Sequence, residues 1–535
     1  MPAQALNHRI NNKTVLQIMN AEPSAPNNPN NNSQQHLMND EVVNGRSITG
    51  KQKITVIILC FVNLINYMDR YTIAGILDDI QKSFSIGDDK GGLLQTVFVI
   101  SYMIFAPVFG YMGDRYNRRL IMAFGVFLWS LTTLIGSFMN DYYFFLFFRS
   151  LVGIGEASYS TIAPTIISDM FVKDLRSKML ALFYFAIPVG SGLGYIIGSE
   201  TAKMLGSWHW GLRVTPILGL LAVILILFSM EEPERGQSEG YTHVSTTSWF
   251  EDIKLLTKNK SFMLSTAGFT CVAFVTGSLA WWGPKIMYYG LKLQPGYENV
   301  TLDSVSFKFG LIAMVAGLIG VPLGSYISQR FKISYPKADP LICAGGLLLS
   351  APLLFLGLAL ADKYYVVVLV LIFFGQVSIN LNWSIVADIL LYVVSPIRRS
   401  TAEAFQILIS HAFGDAGSPY LIGVISEMLK KLFTKGAIPV LLTSITLVNI
   451  DLKDDKNNDK ISFHSLQYAL FITSFIEILG GLFFFFTAYY VIEDKEQAES
   501  ETPAENHQNN TIVQSIYNSA DESSLHGHYN PHFVA

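Results

Sequence analysis

Between about residue 50 and residue 495 the chain repeats one pattern: long apolar runs separated by short polar stretches. A helix rising 1.5 Å per residue needs about 20 residues to cross a hydrocarbon core about 30 Å thick. Runs of that order fall near 54–76, 91–113, 118–139, 142–169, 178–200, 211–230, 261–289, 305–328, 340–361, 364–394, 400–432 and 464–492. The fold class this predicts is an all-α membrane protein with twelve transmembrane helices. Pro107, Pro164, Pro188, Pro322 and Pro419 lie inside these runs, and the spans are expected to continue through them, because neighbouring helices can satisfy freed backbone groups. The first run begins near Ile54 and lacks the short charged, apolar and small-residue order of a cleavable signal, so it reads as a retained first helix.

The polar stretches set the organisation. Residues 1–50 are rich in Asn, Gln, Ser and Pro, and residues 493–535 are polar and acidic; both are expected to be disordered tails. Arg115, Arg118 and Arg119 follow the second run, Lys173, Arg176 and Lys178 the fourth, Arg330, Lys332 and Lys337 the eighth, and Arg398 and Arg399 the tenth. By the positive-inside rule these loops, and with them both tails, face the cytosol. Asn299, Val300 and Thr301 form a glycosylation sequon in the loop after the seventh run, on the opposite side.

Composition narrows the class further. Of 535 residues, 51% are apolar and 15% charged, with a mean hydropathy of +0.37, whereas a soluble domain carries about 25% charged residues. The excess apolar surface needs lipid. A net charge of −4 gives no electrostatic footprint for nucleic acid. Cys60, Cys271 and Cys343 each sit in an apolar run and read as small buried hydrophobes rather than a disulfide framework or metal site.

An internal repeat divides the chain. Arg149 and Glu156 of the fourth run correspond to Gly375 and Asn382 of the tenth, and the Gly-rich stretch 188–198 to 414–423, an offset of about 225 residues. Residues 51–230 and 261–492 are thus expected to form two six-helix pseudo-repeats, joined by a cytosolic linker at 231–260. A repeat of this kind around a central cavity is a transporter architecture. At the end of the second run, Gly110, Asp114, Arg115, Arg118 and Arg119 resemble the major facilitator superfamily signature G-x-x-x-D-R-x-G-R-R, which implies a conformational latch at the cytosolic ends of the helices. Glycine there is expected to permit close helix approach, and the charges to form a network that breaks when the halves rock. Asn117 replaces the second glycine, and Asn tolerates left-handed backbone. The second-half copy, from Gly324 through Ser328 to Arg330, lacks the acid.

Ionisable residues within the runs carry the candidate chemistry. Asn63, Asn66, Asp69 and Arg70 share an arc of about 120° on one helix, and Arg149, Gly153, Glu156 and Ser160 an arc of about 60° on another. A charge at mid-bilayer costs at least about 2.5–3.5 kcal/mol, so both stripes should face one cavity. Either they form structural Arg–carboxylate pairs, or Asp69 or Glu156 takes up and releases a proton while Arg70 and Arg149 exchange between carboxylate and an anionic substrate group. His411 and Asp415, four residues apart, and Lys285, just after Pro284, are additional substrate or proton positions. Glu477 reads as hydrogen-bonded within its own bundle.

Three stretches together, 61–75, 149–159 and 414–423, resemble the spinster family, over roughly residues 50–495. The resemblance implies a lysolipid carrier: proton-dependent lysophospholipid export from late endosomes or lysosomes in one branch, and sphingosine-1-phosphate export across the plasma membrane in another. It also implies that Asp69, Arg70, Arg149 and Glu156 are the coupling and headgroup-sensing set, with His411 beside them, and that a proton gradient rather than a bound cofactor drives transport. Within the linker, Glu251 to Leu256 fits an acidic dileucine pattern for sorting adaptors and Tyr241 to Val244 a tyrosine-based one, which favours the lysosomal branch; the former also fits an amphipathic helix on the membrane surface. Other readings of the same fold are a carrier of sugars or organic anions and a non-transporting scaffold. No constellation of an enzyme stands out.

Overall fold

The computed structural model describes residues 48–171, 173–233, 249–395, 398–434 and 456–500. The described residues from Ile54 to Ser500 form one packed unit. Helix α1 (Gly50–Gly75) leads into a short connecting helix, α2 (Leu77–Phe84), and then come α3 (Asp88–Arg115), α4 (Arg118–Gly136), α5 (Tyr142–Met170), α6 (Lys173–Leu205) and α7 (Trp208–Ser229). After the linker helix α8 (Trp249–Leu256) follow α9 (Lys260–Lys292), α10 (Leu302–Lys332) and α11 (Ala338–Ala359). The tenth run is two helices, α12 (Tyr365–Asn380) and α13 (Asn382–Val393). The eleventh is α14 (Arg399–Ser410), a π-helical turn at His411–Asp415 and α15 (Ser418–Thr434), and the last is α16 (Lys456–Ser500).

Local chemistry starts these helices where it does. The side chains of Asn117, Asp141 and Asn259 accept from the backbone amides of Leu120, Phe144 and Phe262 at the starts of α4, α5 and α9. Asn117 sits at φ −60°, in extended backbone, so it stands in place of the signature glycine as a helix cap and not as a left-handed residue. Pro107, Pro164, Pro188 and Pro322 lie inside continuous helices, as expected. Pro419 does not: the eleventh span breaks at Gly414, whose φ −96° and ψ −105° leave the helical region, and Pro419 lies in the first turn of the restarted helix, where a missing N–H costs nothing.

Among the described residues, ten helices are long and apolar enough to cross a membrane, α12 and α13 counting as one. Of the other two expected spans, α5 has 29 residues but carries Arg149 and Glu156 in its middle, and the eleventh is divided by its break. Two boundaries differ from expectation. Helix α16 runs on to Ser500, so residues 493–500 are not part of a disordered tail. The linker contains α8, whose Leu256 is buried in the protein rather than laid on lipid and whose Asp252 pairs with Arg398 at 3.3 Å. Residues 1–47, 501–535 and the Tyr241–Val244 pattern lie outside the described residues.

Polar contacts fix the alternating direction of the helices. At one end Arg118 pairs with Asp169, Asn259 donates to the Val393 carbonyl and the Ser261 amide to Asp494. At the other, Lys285 meets Asp88, and Gln294 and Gln467 donate to the carbonyls of Ala361 and Leu358. The basic loops therefore gather at one end. Helix α5 packs on α3 and α4, α4 on α7, and α9 and α11 on α16; α6 packs on α10 and α3 on α15, joining residues before the linker to residues after it.

The seam between α4 and α5 is backbone against backbone: a Cβ on Gly155 would lie 2.7 Å from both the Gly125 carbonyl oxygen and the Trp129 nitrogen. Gly155→Ala should therefore destabilise the protein by about 1–3 kcal/mol, the usual range for overpacking, lowering the melting temperature of the detergent-solubilised protein. Gly110→Ala should leave it unchanged, since a Cβ there meets nothing within 4 Å.

Candidate functional site

Asp69 and Arg70 are neighbours on α1, while Arg149 and Glu156 are two turns apart on α5, about 10 Å along its axis. The long arginine side chains close the difference, giving two ion pairs: Arg70 Nη2 to Glu156 Oε2 at 3.1 Å and Arg149 Nη1 to Asp69 Oδ2 at 3.6 Å. All four side chains are buried. Two acids and two guanidiniums sum to zero formal charge, which lets the set reside in a low-dielectric interior.

The two acids differ in their surroundings. Thr215 on α7 donates to Asp69 Oδ1 at 2.5 Å, and Thr133 on α4 approaches Oδ2 at 3.4 Å, so both oxygens of Asp69 are engaged. Glu156 Oε1 has no hydrogen-bond partner among the described residues, and neither do Arg70 Nε, Arg149 Nε or Arg149 Nη2. Aromatic faces fill part of that shell. The Arg70 guanidinium lies 5.0 Å from the ring centres of Tyr67 and Phe98 and 5.6 Å from that of Tyr102, and Arg149 lies 4.2 Å from Phe98.

The remaining sequence candidates divide. His411 Nδ1 lies 2.7 Å from Asp415 on the π-helical turn, and its ring meets Tyr102 edge-on at 5.9 Å. Tyr102 in turn faces Arg70 and accepts from Ser160. This joins the broken eleventh span to the buried cluster through one aromatic ring. Asn66 is buried on α1, one turn before Arg70, and its Nδ2 has no hydrogen-bond partner among the described residues. Asn63 is not part of it: its amide donates 2.8 Å to the Phe183 carbonyl and ties α1 to α6. Lys285 is elsewhere as well, in a second buried charge cluster with Asp78, Gln81 and Asp88. Glu477 accepts from Ser350 at 2.7 Å within the later helices, as expected.

At the basic end, Arg118 is the hub of the signature. It reaches Asp169 at 2.5 Å and the Pro233 carbonyl at 2.8 Å, and its backbone amide donates to Glu232. Arg119 reaches the Met230 carbonyl at 3.5 Å, and Arg115 covers the exposed ring of Tyr111. The Asp114 side chain lies outside the described residues. Close approach belongs to Gly113, where a Cβ would meet Ile162 at 3.0 Å, and not to Gly110, which has open space. In the second copy of the signature the missing acid comes from the next helix: Asp339 on α11 accepts from Ser328 at 2.6 Å and Lys332 at 2.7 Å. Asn299 is exposed on the loop between α9 and α10. Among the described residues no His, Cys, Asp and Glu group has metal-binding geometry.

Sequence reasoning missed Thr133, Thr215, Asp78, Asp88 and Lys430. Hydroxyls in apolar helices usually bond their own backbone, so nothing local marked the two threonines. The charged residues lie at helix ends, where charge is ordinary.

Comparison with known proteins bears on the family and the fold. Residues 59–417 match the Major Facilitator Superfamily. Protein spinster of Drosophila melanogaster is 59% identical over 478 residues, covering 84% of this chain and 79% of that protein. Protein spinster homolog 1 of Homo sapiens is 50% identical over 462 residues, covering 84% and 83%. Among solved structures, a bacterial homologue of the human lysosomal transporter spinster, inward-facing and unoccupied, superimposes with a TM-score of 0.71 at 19% identity, covering 84% of this chain and 99% of that one. A D-xylose-proton symporter gives 0.60 at 15% identity, covering 81% and 96%. At such identities these two likenesses bear on the fold alone.

The threonine clamp on Asp69 generates a stability prediction. Thr215→Val keeps the shape and leaves Asp69 Oδ1 unpaired, which should cost about 1–3 kcal/mol. In an Asp69→Asn background the same change should cost less, because a neutral acceptor bonds more weakly than a charged one. Thermal unfolding of the four proteins measures the cycle; equal losses in both backgrounds would contradict the clamp.

Proposed function

The chain belongs to the major facilitator superfamily and, within it, to the spinster proteins, so it is a multi-pass membrane transporter and not an enzyme, and on that premise we propose that it moves lysolipids by proton-dependent alternating access. The observation that carries the reading is the pair of crossed, buried Arg–carboxylate contacts between α1 and α5 with open valences on Glu156, Arg70 and Arg149. The cluster is neutral only while both acids are ionised. Protonating Glu156 removes the counter-charge of Arg70, and an arginine keeps its own proton. The anionic headgroup phosphate of a lysophospholipid then restores neutrality, so proton and substrate are linked through one guanidinium. His411 and Asp415, in contact with Arg70 through Tyr102, extend this site to the eleventh span.

Around that centre, residues 51–230 and 261–492 act as the two rocking halves, with 231–260 as their cytosolic connection and both tails on the cytosolic side. Arg118 and its partners, with Asp114, Arg115 and Arg119, hold the cytosolic ends of the first half, and Gly113 rather than Gly110 seats the helix there. The membrane is that of late endosomes or lysosomes, and the direction is export to the cytosol; the acidic dileucine pattern at Glu251 to Leu256 favours this location. Asn299, exposed at the end away from the basic loops, is the glycan acceptor on the lumenal face. Recognition of Glu251 to Leu256 by a sorting adaptor would require α8 to release Leu256 from the core.

Proteoliposomes carrying the purified protein test this directly. Labelled lysophosphatidylcholine should move faster under an imposed pH gradient, with labelled hexose unmoved and sphingosine-1-phosphate slower. Glu156→Gln, shape-preserving and non-titrating, should reduce the gradient-dependent flux at least about tenfold at unchanged protein level, the order expected from losing a group that acts only in the coupled step. Normal pH-dependent flux in that variant would contradict the proton role. Two further carbons on the acyl chain, at about 0.8 kcal/mol each, should tighten apparent binding about tenfold after correction for membrane partitioning. Competition by hexose with no dependence on chain length would overturn the lysolipid assignment.

A further inference from the structure

Away from the Asp69 site, at the end opposite the basic loops, a second cluster of charges is buried among residues far apart in the chain. Asp88, in the first turn of α3, is 1% exposed. Its Oδ1 takes the Lys285 ammonium at 2.7 Å, from α9; its Oδ2 takes Lys430 at 2.5 Å and the Ser426 hydroxyl at 2.7 Å, both from α15. One carboxylate is thus the shared counter-ion of two lysines on two helices that follow the linker. Its backbone amide donates to Glu427 at 2.9 Å, and Gln81 bridges Asp88 and Lys285. Asp78 on α2 adds a second acid, 3.8 Å from Lys285 and bonded to the Tyr289 hydroxyl at 2.8 Å. Burial pushes the Asp78 carboxyl up, but the Lys285 and Lys82 charges reverse this and hold it below its ordinary value.

The backbones meet at the same place. A Cβ on Gly92 would come within 2.3 Å of the Pro419 carbonyl oxygen, and one on Gly423 within 2.2 Å of the Asp88 carbonyl oxygen. Trp282 donates to that Pro419 oxygen at 3.0 Å, and Thr96 donates to the Ala416 carbonyl at 2.5 Å. Pro419 and Ala416 flank the restart of the broken eleventh span, just past the His411–Asp415 turn that reaches the central cluster. Helix α3 cannot part from α15 without losing Lys430 from Asp88, nor from α9 without losing Lys285.

We propose that Asp88, clamped by Lys285 and Lys430, is the lock that holds this end of the carrier shut, and that its release opens the central cavity to that side. The inference rests on the alternating-access reading above but on no particular substrate. Removing the carboxylate takes from α3 the one group that holds both lysines, leaving Lys285 with Asp78 and Lys430 with Glu427, which weakens the hold of α3 on α9 and α15.

The test is chemical labelling of the full chain in lipid nanodiscs, with Cys60, Cys271 and Cys343 replaced by alanine and Thr96→Cys as the reporter. N-ethylmaleimide should modify the reporter slowly in the parent and at least fivefold faster with Asp88→Asn. Lys430→Gln, which spares the carboxylate and its bond to Lys285, should give a smaller rise in the same direction and serves if Asp88→Asn does not fold. Copper-phenanthroline cross-linking of Thr96→Cys with Ala416→Cys should slow in step with the rise in labelling. Unchanged labelling and cross-linking in both variants, in protein of unchanged melting temperature, would overturn the lock. Because neither readout needs transport, labelling that rises while lysolipid flux is absent would leave the lock standing and count against the substrate assignment alone.

Discussion

The constraint on which everything else depends is that a membrane-embedded interior holds ionised side chains only in neutral, mutually satisfied sets. Asp69, Arg70, Arg149 and Glu156 meet it by crossing between α1 and α5. The rest of the first seven helices is arranged around that crossing. Gly155 seats α5 on α4, which brings Thr133 toward Asp69; α4 seats α7, which brings Thr215. A set whose neutrality depends on two protons being absent is stable as long as nothing else offers charge. In the proposed function it couples the two when a proton and an anionic ligand arrive together.

The same rule operates at the second cluster, with a different consequence. There the charges come from helices on both sides of the linker, so satisfying them also fixes how those helices meet. The eleventh span links the two places: its π-helical turn carries His411 toward Tyr102 and Arg70, and the helix restarting at Ser418 carries Ser426 and Lys430 to Asp88. A helix broken between two charge clusters is a suitable element to move in response to one and release the other, since π-helical turns and glycine breaks absorb backbone change at low cost.

Much of the fold could be read along the chain because the bilayer sets run length directly, and ten of the twelve expected spans differ from the observed helices chiefly by some residues at their ends, the tenth being divided at Leu381 and the eleventh at Gly414. The break in the eleventh could not be read: the glycines of 414–423 look the same whether they serve packing or a kink. In the site, helical periodicity was enough to bring Asp69 and Arg70 to the face that meets Arg149 and Glu156. It did not tell which acid pairs with which guanidinium, because that depends on the axial offset of two helices. Asn63 shared the polar arc but turned to the Phe183 carbonyl, a choice made by the neighbouring α6. Lys285 was conspicuous as a charge in an apolar run, yet its partners Asp78 and Asp88 lie roughly 200 residues away and have no local mark. Gly110 fitted a motif by position, while the contact fell to Gly113, because only the facing Ile162 decides which glycine is needed.

The central claim is that substrate charge is received where Arg70 meets Glu156. A structure of the full chain in lipid nanodiscs, at acidic pH with lysophosphatidylcholine bound, tests it most directly. The headgroup phosphate should then lie within hydrogen-bonding distance of Arg70, with the contact to Glu156, 3.1 Å in the present structure, opened. A headgroup lodged elsewhere, with that contact unchanged, would contradict it.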